Sequence, residues 1–160
     1  MVPMDPAVSP DDATAGFDEP LDWGVIARGA FVGLAIIVPV TVVRVILDRE
    51  IRDFDDSGWV YPLFVLILVA YFTAGWVAGR ARTDTPLMHG TLAGFGVLVL
   101  WLPIRVIIWA LREDDKGLFS GDKAVLRPGQ VFGAFLIAAA IAMLGGFVGA
   151  KVVERTRAHD

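Results

Sequence analysis

The sequence contains no cysteine, no asparagine and only three serines. Without cysteine there is no disulfide, no thiolate metal site and no thiol redox chemistry. Without asparagine there is no acceptor for N-glycosylation. Ser9, Ser57 and Ser120 all fall outside the long apolar segments, so no serine nucleophile sits within them. Lysine is scarce too, outnumbered by arginine eleven to three. The most informative shortage is of charge inside the apolar stretches. Residues 59–79 and 131–150 carry none, and residues 23–47 and 88–111 contain no Asp, Glu or Lys. Intramembrane proteolysis, proton-coupled transport and acyl transfer all need an ionisable group or nucleophile near the chemistry. No Asp, Glu, Lys or Ser is available here, and the reading is of a protein without catalytic residues, metal site or cofactor.

What the chain has in abundance is hydrophobicity. Of its 160 residues 56% are hydrophobic, and the mean hydropathy is +0.63. A soluble domain has roughly 45–50%, so a soluble enzyme, a nucleic-acid binder and a secreted disulfide scaffold are excluded. A hydrocarbon layer about 30 Å thick needs about 20 apolar residues in a helix. Four segments meet that need: 23–47, 59–79, 88–111 and 131–150. The expected fold is all-α, a polytopic protein with four transmembrane helices over residues 23–151. Residues 1–22 hold four prolines, six acids and no Lys or Arg, a composition that cannot build a core. They are expected to be a disordered tail, and residues 152–160 a short basic one. Trp23, Trp59, Tyr61, Trp76 and Trp109 fall near segment ends, where amphipathic rings favour the membrane interface. Tyr71 and Trp101 fall mid-segment and are expected to pack against other helices.

An internal repeat links the first and third segments. With an offset of 61, Gly29/Gly90, Gly33/Gly94, Val38/Val99, Arg44/Arg105, Val45/Val106 and Ile46/Ile107 are identical. The second and fourth segments align with an offset of 71, matching Phe64/Phe135, Gly75/Gly146 and Val77/Val148. Trp76/Phe147 and Arg80/Lys151 are conservative partners in that alignment. The expectation is a duplicated two-helix hairpin, the copies related by an axis along the membrane normal.

Each segment carries a small-xxx-small pair: Gly29/Gly33, Gly75/Gly79, Gly90/Gly94 and Gly145/Gly149. Gly129/Gly133 adds a fifth. Residues four apart share a helical face, and glycine there lets a second backbone approach closely. With alternating helix directions the first four pairs lie toward one membrane side, where the helices should converge.

Arg44 and Arg105 stand eleven residues after Gly33 and Gly94, about three full turns, and so on the same stripe as those glycines. They read either as snorkelling anchors or as a paired cationic mouth for an anion or a lipid headgroup. Asp48 is the expected partner of Arg44 and Trp109 the expected ring beneath Arg105. Asp53, Asp55 or Asp56 would supply the acid for Arg105. Asp53, Asp55 and Asp56 with Gly58 also have the alternation of a cation-binding loop, though Phe64 stands where such a loop needs a glutamate. His89 occupies the place of Arg28 in the first repeat, and both read as interfacial anchors.

The Lys/Arg balance across the membrane is even: Arg28, Arg80, Arg82, Lys151, Arg155 and Arg157 face Arg49, Arg52, Arg112, Lys116, Lys123 and Arg127. The short Arg80/Arg82 loop and basic C-terminus place both termini in the cytoplasm. Residues 75–82 (GWVAGRAR) and 89–94 (HGTLAG) resemble a pattern found in small four-helix integral membrane proteins of actinobacterial type whose function is unknown. The arginine bias fits a GC-rich source. The resemblance implies a multi-pass protein of the bacterial plasma membrane and no particular activity. The function expected is a non-enzymatic structural or accessory membrane component acting through helix packing. Its partners would be the bilayer and a second copy or another membrane protein, not nucleic acid. The alternative is a small channel or transporter for an anion or small solute, built on Arg44 and Arg105.

Overall fold

A computed structural model describes residues 21–111, Phe119 and residues 126–159. Most of the acidic N-terminal segment lies outside these residues. So do Arg112, Glu113, Asp114, Asp115, Lys116, Ser120 and Lys123. Four helices follow in order: α1 Trp23–Glu50, α2 Val60–Ala81, α3 Pro86–Leu111 and α4 Pro128–Arg157. All four are long and apolar enough to cross a membrane. The chain is therefore an all-helical protein of multi-pass character. The interior and exterior are inverted relative to a water-soluble bundle. Ala70, Ala74, Ala78, Ala93, Ala138 and Ala142 are fully buried, while Phe31, Val65, Val99, Ile107, Leu136 and Leu144 are exposed. Small residues inside allow close backbone approach, and large apolar ones outside suit a lipid solvent.

The helix ends follow local chemistry. Asp22 caps α1, its carboxylate accepting from the Val25 N–H at 3.1 Å. Pro128 opens α4, where a missing N–H costs nothing. Pro39 and Pro103 are accommodated within α1 and α3, as expected where neighbouring helices stabilise the interruption. α4 does not stop at Ala150 but runs to Arg157, so most of the segment read as a basic tail is helix. No Gly or Pro interrupts residues 151–157, and the Lys151–Glu154 pair at 2.9 Å joins one turn to the next. Between α1 and α2 the chain turns through Asp53, at φ 58°, into a short 3-10 helix, Phe54–Asp56. Aspartate tolerates this left-handed conformation better than most residues. The turn drives Phe54 inward, where it is 3% exposed in a small cluster with Val40 and Leu63.

The helices are arranged as a parallelogram. α1 packs on α2 and α3, and α4 packs on the same two. α2 also meets α3 across the middle, whereas no described residues of α1 and α4 touch. A two-fold axis exchanging the hairpins would map the α2–α3 contact onto an α1–α4 contact. The expected axis along the membrane normal is thus not present. The α3–α4 hairpin instead lies beside α1–α2 by a lateral displacement, with α3 next to α1 and α4 next to α2.

Candidate functional site

Two features could carry a function: the glycine seams near the termini end of the bundle and the arginines near the other end.

The seams bring backbones together. A methyl group on Gly75 would strike the Ala142 carbonyl, and one on Gly79 would strike the Gly146 carbonyl, so α2 and α4 meet without side chains between them. Gly145 and Gly149 close the same seam from α4, against the backbone of Phe72 and Trp76. Gly90 and Gly94 admit Ala142, Gly146 and Ala138 of α4 against α3. Gly29 and Gly33 admit Ala74 and Ala70 of α2 and Ala93 and Val97 of α3. Gly96, which no pair motif singled out, receives Ala30 of α1. Gly129 and Gly133 differ from all of these. Among the described residues nothing lies within 4 Å of an added methyl at either, so neither packs against α1, α2 or α3.

The hydroxyls of the apolar segments are bound to their own helices. Thr41, Thr73 and Thr91 donate to the carbonyls of Ile37, Val69 and Leu87 at 2.8, 2.7 and 2.7 Å. Tyr71 is buried in the central cluster, and Trp101 packs against that cluster. His89 is not an exposed anchor like Arg28. It is 2% exposed and ties α3 to the start of α1. Its Nε2 accepts from the Asp22 backbone N–H at 3.2 Å. Its Nδ1 lies 2.9 Å from the Thr85 hydroxyl and 3.1 Å from the Thr85 carbonyl. With Nε2 accepting, the proton sits on Nδ1 and donates to Thr85.

Arg44 and Arg105 sit on α1 and α3, whose seam is crossed one turn earlier by Trp101, whose Nε1 donates to the Thr41 hydroxyl at 3.1 Å. Arg44 follows Thr41 by three residues and Arg105 follows Trp101 by four, so the Trp101–Thr41 bond brings both arginines to the same end of the seam. Arg44 Nη2 pairs with Asp55 Oδ1 at 3.6 Å, so Asp55 serves the first arginine rather than the second. Arg105 lies over the Trp101 ring, 4.9 Å from its centroid, rather than over Trp109. The reason is general: helical side chains lean toward the N-terminus, so a long cation reaches the ring at i−4 more readily than at i+4. Arg80 over Trp76 and Lys151 over Phe147, at 4.6 and 5.9 Å, follow the same i−4 rule. The role of Trp101 was missed because its indole spans two helices; only its non-interfacial position hinted at it.

Among the described residues no three His, Cys, Asp or Glu side chains converge to hold a metal ion. Asp53 precedes the 3-10 turn, Asp55 and Asp56 stand on it, and Asp55 turns to Arg44.

No known family, curated protein or solved structure matches the chain.

Proposed function

We propose that this is a non-enzymatic integral membrane protein, a structural or accessory component that acts through helix packing. One observation carries the reading. The centre of the bundle is occupied by the α2–α3 contact and lined by fully buried Ala70, Ala74, Ala78, Ala93 and Val97. That leaves an apolar, small-residue interior with its threonine hydroxyls already bonded to backbone. It is suited to rigid packing, and among the described residues it holds no buried Asp, Glu or Lys of the kind that chemistry in the membrane commonly uses. The alternative, passage of an anion past Arg44 and Arg105, would have to cross this filled centre and the glycine seams beyond it.

The partner face is best sought on α4. Gly129 and Gly133 offer a small-xxx-small surface that no helix of the same chain uses, which suits a second copy or another membrane protein. We place the protein in a bacterial plasma membrane with both termini cytoplasmic. Arg80 in the last turn of α2 and Arg82 at the start of the four-residue connection to α3 put two positive charges at a short loop, where the charge rule is strongest. The parallel placement of the two hairpins, together with the matched Arg80/Trp76 and Lys151/Phe147 contacts, supports duplication of one ancestral hairpin.

The test is reconstitution with crosslinking. A cysteine at Gly133 should capture a partner helix in native membranes, and proteoliposomes should pass no more chloride or phosphate than empty vesicles. A monomer without crosslinks would remove the packing reading. Anion flux abolished by Arg44→Ala with Arg105→Ala would replace it with the transport reading.

A further inference from the structure

Arg44 and Arg105 stand at the loop end of the α1–α3 seam. Arg44 has Asp55, but Arg105 has no carboxylate partner among the described residues. Its guanidinium carbon stands over the Trp101 ring, 4.9 Å from the centroid, and its N–H donors have no carboxylate acceptor among the described residues. Trp101 is itself pinned by Thr41, so the platform beneath the cation is fixed. A cation in a membrane-spanning segment without an internal counter-ion calls for an external one. The neighbouring surface indicates what carries that anion. Leu102 and Ile108, one turn before and one turn after Arg105 and so on its side of α3, are apolar and partly exposed. An anion arriving here meets apolar surface beside the charge, as a lipid does when its chains lie along the helices. Guanidinium suits phosphate through two parallel N–H donors, and basic pockets between transmembrane helices recognise phospholipid headgroups.

We propose that Arg105, with Arg44 beside it and Trp101 beneath it, binds the phosphate of a phospholipid headgroup at the α1–α3 seam. The site goes beyond the packing role, and either can fail without the other.

The experiment exchanges the full-length protein into detergent and measures retained lipid by native mass spectrometry. Circular dichroism confirms that each variant is folded. The probes are phosphatidylglycerol, a glucosyl diacylglycerol with the same chains, and inorganic phosphate as competitor. The native chain should retain phosphatidylglycerol in preference to the glucolipid. Arg105→Gln should lower retention about tenfold, the loss of one charge-assisted contact. Arg105→Lys should fall between, because it keeps the charge and loses the fork. Arg80→Gln, which removes the arginine stacked on Trp76 near the termini end, should match the native chain. Equal retention of the glucolipid overturns the proposal, as does unchanged retention in Arg105→Gln or an equal loss in Arg80→Gln. Displacement of the lipid by inorganic phosphate would assign the site to a free anion and overturn the lipid assignment. If Arg105→Gln does not fold, the comparison of the two lipids on the native chain decides alone.

Discussion

Replacing Gly75 by alanine tests the closest contact in the bundle. The added methyl would overlap the Ala142 carbonyl oxygen and lie 2.6 Å from its carbon and 2.8 Å from its Cα, where ordinary contact begins at 3.4 Å. All three are backbone atoms, and close-packed backbone cannot yield as a side chain can. Relief requires α2 and α4 to part by roughly 1 Å. That movement also loosens Gly79 against Gly146 and Gly145 against Phe72 on the same seam. Overpacking typically costs about 1–3 kcal/mol, and a rigid obstacle places this case near 3. Alanine returns about 1 kcal/mol of helix propensity relative to glycine, leaving a net loss of about 2 kcal/mol. Gly133→Ala is the matched control. It gains the same propensity and meets nothing within 4 Å, so it should be neutral or stabilise by up to about 1 kcal/mol. Two chemically identical substitutions should therefore differ by about 3 kcal/mol. SDS titration in mixed micelles, followed by far-ultraviolet circular dichroism, reads both. Equal midpoints for the two variants would refute the backbone-to-backbone packing of α2 and α4.

Other expectations follow from single contacts. Trp101→Phe removes the Nε1–Thr41 bond and should destabilise the protein by about 0.5–1.5 kcal/mol in the same titration. His89→Leu leaves the Asp22 N–H without its acceptor, at a cost of about 1–3 kcal/mol. Hydrogen exchange at Asp22 and Trp23 should speed up while Ala93, deep in the bundle, stays protected. Phe54→Ala empties the small cluster between α1 and α2; a cost of about 3 kcal/mol is expected, with faster tryptic cleavage after Arg49 and Arg52. Because the chain has no cysteine, a single cysteine at Ser57 should react with an impermeant maleimide in intact cells. One at Thr83 should not; labelling at both would mean insertion in both orientations.

Much of the fold was legible in residues 23–150. Four uncharged or nearly uncharged stretches of helical length permit one solution in a bilayer, because every backbone polar group must be satisfied within its own segment. The glycines four residues apart indicated which faces would meet, since removing side chains has little other use at that spacing. Spacing did not reveal which pairs are occupied. Gly129/Gly133 has the same pattern as Gly75/Gly79, yet only the latter faces another helix of the chain. The end of α4 was also missed, because charge at Lys151–Arg157 marks the edge of the membrane rather than the end of a helix.

The sequence by itself determined four helices long and apolar enough to cross a membrane, because hydrophobic length and charge placement are local properties. The tertiary structure decided the parallelogram of helices, the burial of His89 at the start of α1, and the partners of the arginines. From spacing, Asp55 was a candidate for Arg105, but the chain turns at Asp53 and Asp55 reaches Arg44. Likewise the lean of side chains along α3, and not residue count, sets Arg105 over Trp101, and the crossing of α1 and α3 brings Thr41 to that ring. These choices depend on where separate helices meet, and that is settled by packing among all of them at once.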